Sequence, residues 1–296
     1  MTQDFEAALH ESAWAILPSE WARIARAVKD HAAGQHVAAS GRGRTAGASQ
    51  QIKGVALVNM FGVIQQHRSW IMDFFGGVST EAVGAEIREA ALDPSVRAIV
   101  LNINSPGGGV QGVPELAREI LNARAKKQVT AVANSMAASA AYWLASQASD
   151  LVISPSGSVG SIGVFASHED YSKALDAEGV KVSLVSAGKY KTEGNPYEPL
   201  GEEARANLQA DVDAFYGMFV RAVAVGRRVT NAEVLQNYGQ GRMLLANQAV
   251  RLGMADRVDT LDGVIRQSLR IPAPRGARAI LSRAALQDEL RRLDTI

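Results

Sequence analysis

Cysteine is absent from the 296 residues, which removes disulfides, thiolate nucleophiles and Cys-based zinc sites. An excess of one charge is also missing: 31 Lys and Arg stand against 30 Asp and Glu, a formal net charge of +1. That balance gives no electrostatic ground for a nucleic-acid or anionic-membrane partner. No uninterrupted apolar run nears the ~18 residues of a membrane span. The first residues, MTQDFEAALHESAW, carry acids and lack the apolar core of a secretory signal. The expectation is a cytoplasmic chain with no membrane partner. Histidine is scarce too, and of His10, His31, His36, His67 and His168 only the last falls where a core could form. No metal or organic cofactor is implied. What is present, 47% hydrophobic and 21% charged residues, suits one large globular domain with a small appendage.

Residues 1–32 read as an N-terminal helical segment, two helices broken at Pro18, with Trp14, Leu17, Trp21, Ile24 and Val28 three or four apart. Residues 33–51 are small, polar and aperiodic, the composition of a flexible linker. The main domain is expected over 52–270. Strands at 54–59, 97–103, 129–133, 150–154 and 181–185 alternate with helices at 79–92, 113–124, from 139 onward, and 169–178. A long helix follows over 202–225, with Leu208, Val212, Phe215 and Phe219 as its stripe, then short helices near 231–238 and 246–252 and a strand near 255–258. Such alternation predicts an α/β fold with a mostly parallel sheet. The aromatic loop 61–77 is expected as either a groove lip or a buried loop. Residues 271–296 read as a charged helical tail.

Ser139 lies where a strand hands over to an alanine-rich helix, VTAVANSMAASAAYWLAS. A serine at such a junction can act as a nucleophile, because N–H groups of the first helical turn are free to bind an oxyanion. Ser158 and Ser161 are rival nucleophiles. Gly107-x-Gly109-x-x-Gly112 matches a dinucleotide fingerprint formally, but no Asp or Glu occurs over 120–149, where a ribose-binding acid is needed. Gly108 and Gly109 therefore suit oxyanion donors better. The second glycine turn, GSVGSIGV at 157–164, lacks the Lys-Ser/Thr of a phosphate loop and reads as a wall of a substrate groove. His168, Lys189 and Lys191 are the candidate bases.

The motifs NSPGGG (104–109), SMAASAAYWLAS (135–146), GSIGV (160–164) and SAGKYKTEGNPY (186–197), with GRMLLANQAVRLGMADRV (241–258), resemble the signal peptide peptidase A/protease IV family over 52–260. Lys-x-x-Gly-Asn-Pro-Tyr at 191–197 is similar to its phage branch of capsid-assembly proteases. The resemblance implies a ClpP-like, crotonase-type fold and a serine endopeptidase with a Ser–Lys dyad. It puts the nucleophile on Ser139 and the base on Lys191, three residues after Gly188. It puts the oxyanion hole on Gly108 and Ala140, and substrate contacts on Gly109, Gly160 and Ser161. Ala140-Ala141 departs from the glycines usual after the serine. A homo-oligomeric ring is implied, acting on scaffold or capsid proteins in the bacterial cytoplasm or a phage procapsid. Two alternatives remain: a crotonase-like acyl-CoA enzyme, and a catalytically silent capsid- or scaffold-binding protein.

Overall fold

The structure, a computed structural model, describes residues 13–32 and 50–272. The expected linker over 33–49 and the tail over 273–296 lie outside the described residues. In chain order the elements before the site are β1 (Trp14–Ile16), α1 (Pro18–Ala32), β2 (Gln50–Ile52), β3 (Val55–Phe61), β4 (Val63–Gln65), α2 (Trp70–Phe75), β5 (Gly77–Ser79), α3 (Thr80–Leu92), β6 (Ala98–Ser105), β7 (Gly107–Gly109) and α4 (Val113–Arg124). After them come β8 (Gln128–Ala138), α5 (Ala140–Ala145), β9 (Asp150–Ile153), β10 (Ser158–Gly160), α6 (Ser172–Ala177), α7 (Glu202–Arg227), α8 (Asn231–Asn237), β11 (Met243–Leu245), α9 (Ala246–Arg251), β12 (Arg257–Val258) and α10 (Leu261–Ser268).

The main sheet runs β11-β10-β8-β6-β3-β2, with β9 beside β8 and β12 beside β9. Its central pairs, β3–β6, β6–β8, β8–β9 and β8–β10, are all parallel. This is the mixed α/β, ClpP-like architecture expected of the chain. Parallel central strands are covered on both faces, which is why β6 reads AIVLNINS with little alternation and is buried almost throughout. Ser79 caps α3 by accepting from the Ala82 N–H (3.3 Å), and the helix stops before Asp93-Pro94.

β8 serves two neighbours. Its first half pairs with β6 and β9, and its last residues, Met136–Ala138, pair with β10. Between Ile103 and Ser105 the β6–β8 register shifts, and Ser135 takes a positive φ of 105°. This irregularity redirects the strand end, as bulges beside functional sites do.

Several expectations change. Residues 1–12 lie outside the described residues, and Trp14–Ile16 is a strand, not the end of a helix. It forms the edge of a second sheet, β1-β7-β4-β5. The sequence places Pro18 at the start of α1, where its missing N–H costs nothing. Trp14, Ile16, Ile24 and Val28 pack on Val63 and Ile71. The 61–77 loop, holding β4 and α2, is thereby partly buried: Val63, Ile64, Gln65, Ile71 and Met72 are buried, while His67, Arg68 and Asp73 are exposed. Residues 181–185 form no strand: Val182, Leu184 and Val185 are exposed, and a lone β-run has nothing to pair with. In α7 burial concentrates at Phe219, Val220, Val223 and Ala224, leaving the first half mostly exposed.

The far end of the domain is tied by a bidentate Arg227–Asp256 pair (2.7 and 3.0 Å), with Asp256 also accepting from the Leu151 N–H at 2.6 Å. Burial pushes the Asp256 carboxyl up, but Arg227 and the Leu151 N–H outweigh it and hold it below the usual carboxylate range. The Arg227 side chain is 7% exposed. Because the Asp256 side chain is 41% exposed and solvent screens the pair, Asp256→Asn is expected to lower stability by about 1 kcal/mol at pH 7. A depressed carboxyl stabilises above its unfolded value of about 4, and that contribution is lost as pH falls through the folded value. Urea unfolding should therefore show the gap between variant and parent closing at acid pH.

Candidate active site

Ser139 occupies the single residue between β8 and α5. Its backbone sits at φ 53° and ψ −119°, a conformation a residue with a Cβ rarely adopts. Two hydrogen bonds enforce it. The Ser139 N–H donates to the Gly160 carbonyl (2.8 Å), and the Ser139 carbonyl accepts from the Trp143 N–H (2.9 Å). The helix behind is itself anchored: every residue of α5 is buried, and Trp143 stacks on Phe219 with centroids 4.7 Å apart. Tyr142 donates to the Met254 carbonyl at 3.0 Å, and its burial pushes the phenol up. Such a forced turn at a strand-to-helix junction projects a hydroxyl away from the strand, as nucleophile elbows do.

The Ser139 side chain is buried, and its Oγ has one long hydrogen bond, to the Gly163 carbonyl at 3.4 Å. That is a weak tether. The Ala140 N–H opens the first turn of α5, where helical N–H groups have no intrahelical partner. On the other side runs β7. Gly107 has φ +100°, and a Cβ there would lie 3.0 Å from Ser139 Cβ; a Cβ on Gly108 would strike the Ile64 carbonyl. Glycine is thus required at both positions, and it brings the bare β7 main chain beside the serine.

Ser139 and Ala140 thus lie beside two glycine-bearing strands: β10, whose Gly160 carbonyl accepts from the Ser139 N–H, and β7, whose Gly107 adjoins the Ser139 side chain. Gly160 carries φ +128° and Ser161 φ 54°, with the Ser161 N–H donating to the Arg242 carbonyl at 2.9 Å. Ser158 stands at the far end of β10. Beside Pro106 a cavity of about 440 Å³ opens, walled by Phe61, Val63, Phe75 and Met136 and edged by Asn104, Asn134, Glu20 and Arg23. Behind it an amide chain crosses three strands, Asn134 donating to Asn102 (3.1 Å) and Asn102 to Asn59 (2.8 Å). Among the described residues no group of His, Asp and Glu is placed to hold a metal, and no helix is long and apolar enough to cross a membrane.

Lys191 makes no hydrogen bond to Ser139 within the single chain, where the Ser139 Oγ bond goes to the Gly163 carbonyl. It is exposed within a single chain, and its side chain makes no hydrogen bond or ion pair among the described residues. Lys189 donates to the Tyr190 hydroxyl (2.7 Å) and to Glu203 (2.9 Å), and these bonds raise its pKa. His168 meets the Asn195 carbonyl at 3.1 Å. All three belong to a stretch, 163–200, in which no residue is buried. Sequence reasoning missed the nearest neighbour of the cleft, β1, whose signal was a β-prone Trp-Ala-Ile immediately before a helix-starting proline.

Comparison with known proteins places the chain in a family. A family model, Peptidase family S49, matches residues 122–270, which contain Ser139 and Lys191. Capsid assembly protease C of Escherichia phage lambda is 32% identical over 222 residues, 75% of this chain and 50% of that one. The head-tail preconnector protein of Enterobacteria phage P21 is 33% identical over 186 residues, 63% of this chain and 37% of that one. Protease 4 of Salmonella typhi is 32% identical over 197 residues, 66% of this chain and 32% of that one. The chain spans between 32% and 50% of the length of these relatives. With its motif order, its α/β fold and the matched region in agreement, the chain belongs to peptidase family S49.

Proposed function

We propose that the protein is a serine endopeptidase in which Ser139 attacks the substrate carbonyl and Lys191 takes its proton. The observation that carries this reading is the forced backbone of Ser139, which sets a loosely tethered hydroxyl between the α5 N-terminus and a bare glycine strand. Attack would form an acyl-enzyme on Ser139. The N–H groups of Gly108 and Ala140 would hold the oxyanion, and Lys191 would return its proton to the leaving amine, then activate water. Glycines 109 and 160 and Ser161 would line the substrate path. No metal step is invoked.

An amine works as a base only after losing its proton, and a free lysine near pKa ~10.4 is about 0.04% neutral at pH 7. A dry pocket is therefore needed. The exposed stretch 163–200 supports assembly as its source, since Val180, Leu184 and Val185 are 46%, 48% and 99% exposed and apolar surface of this kind seeks a partner. In this reading a neighbouring copy covers the stretch and delivers Lys191 to Ser139 across the contact. The phage relatives named as capsid assembly protease and head-tail preconnector favour capsid or scaffold proteins as substrates, in a host cell or procapsid.

Ser139→Ala and Lys191→Ala should each cut cleavage of a scaffold-derived peptide by at least ~10³-fold, the scale of losing a nucleophile or its base. Mixing the two dead variants before assembly should restore cleavage, and an inactive mixture would place both groups on one chain or remove Lys191 from the chemistry. Thermal unfolding tests the stored strain separately. Ser139→Gly should be more stable than Ser139→Ala by about 1 kcal/mol, since glycine alone relaxes at a positive φ.

A further inference from the structure

The cleft beside Ser139 already holds a peptide, and it is the chain's own. β1 runs antiparallel to β7, with Trp14 opposite Gly109, Ala15 opposite Gly108 and Ile16 opposite Gly107. On its other edge Trp14 pairs with Phe165, each N–H donating to the other's carbonyl at 2.8 and 3.0 Å. β1 thus lies along the β7 edge as an extended peptide does in strand addition, with a single bridge at Trp14 on its outer side.

The register puts this strand on the reacting groups. Val110 N–H donates to the Ala13 carbonyl (3.4 Å) and Leu17 N–H to the Pro106 carbonyl (2.9 Å). Opposed residues in an antiparallel ladder alternate between bonded and non-bonded pairs. Ala15 and Gly108, midway between those two bonded pairs, are therefore a bonded pair as well. The Gly108 N–H faces the Ala15 carbonyl, so the donor meant for an oxyanion is already engaged. A Cβ placed on Gly107 would collide with the Ala15 carbonyl oxygen and lie 3.0 Å from both Ile16 Cα and Ser139 Cβ. The Ala15–Ile16 peptide and the serine thus flank one glycine.

We infer that Ala13–Leu17 is a built-in occupant of the substrate track, a self-inhibiting strand that an incoming peptide must displace. This rests on the reading of Ser139 as the nucleophile. The strand is seated firmly, since Trp14 and Ile16 are buried against Ile24, Val28, Val63 and Ile71. Its seat is also imperfect: Trp14 Nε1 is buried with no hydrogen-bond partner, a cost that release into water removes. α1 follows directly and carries Glu20 and Arg23 to the rim of the cavity beside Pro106, so departure of β1 would open both the track and its flank.

The absence of cysteine makes a clean lock available. Ala13→Cys with Val110→Cys puts the one thiol pair of the full-length chain across a bonded antiparallel pair, whose Cα spacing of about 5.5 Å suits a disulfide. A fluorophosphonate probe, with labelling of Ser139 followed by mass spectrometry, reads access to the nucleophile in the oxidised and reduced protein. Labelling at least tenfold slower when oxidised is the expected result. Equal labelling in both states would overturn the inference and make β1 a permanent strand. If neither state labels, full-length Ala15→Pro, which cannot donate from residue 15, decides. Labelling there supports a tight block, while no labelling overturns the serine reading itself and this inference with it.

Discussion

One backbone conformation organises the molecule: Ser139 held at a positive φ between a parallel strand and a buried helix. Everything adjacent acts to keep it there. β10 clamps its N–H through Gly160, α5 clamps its carbonyl through Trp143, and the Trp143–Phe219 stack fixes α5 against the long helix. The residues around it are small for the same reason. Ala137, Ala138, Ala140 and Ala141 are all fully buried, and larger side chains would push β7 away from the serine. Where the family resemblance leads one to expect glycine after the nucleophile, Ala140 sits inside α5, so its Cβ meets an ordinary helical backbone.

The constraint divides the active site into two parts with different physics. The proposed nucleophile, Ser139, and the proposed oxyanion donors, Gly108 and Ala140, lie in the buried core of one chain. The proposed base sits on a stretch with no buried residue at all, and its position depends on what that stretch meets. On the proposed reading, a division of this kind would keep the protein silent until copies assemble. The β1 strand across the cleft would add a second hold on the same hydroxyl.

Much of this was legible in the sequence. The alternation of strands and helices from 52 to 270 follows from apolar runs such as RAIVLNI, which bury both faces of a central strand. The placement of Ser139 between a strand and a helix was legible, because the small-residue turn separates a β-prone run from an alanine-rich one. Two things were not. Trp14, Leu17, Trp21, Ile24 and Val28 keep helical spacing across the β1–α1 boundary, so periodicity hid where the strand ended, and Pro18 read as a break when it marks a start. Residues 181–185 have the composition of a strand, but pairing needs an edge that one chain does not offer. Composition states a propensity; the partner decides whether it is realised.

The proposed chemistry needs a hydroxyl and an amine to meet in a dry cleft formed between copies. An experimental structure of the assembled wild-type protein tests that most directly. Lys191 Nζ of one copy should lie within about 3 Å of Ser139 Oγ of another. An assembly in which Lys191 stays in solvent while Ser139 faces a different base would contradict it.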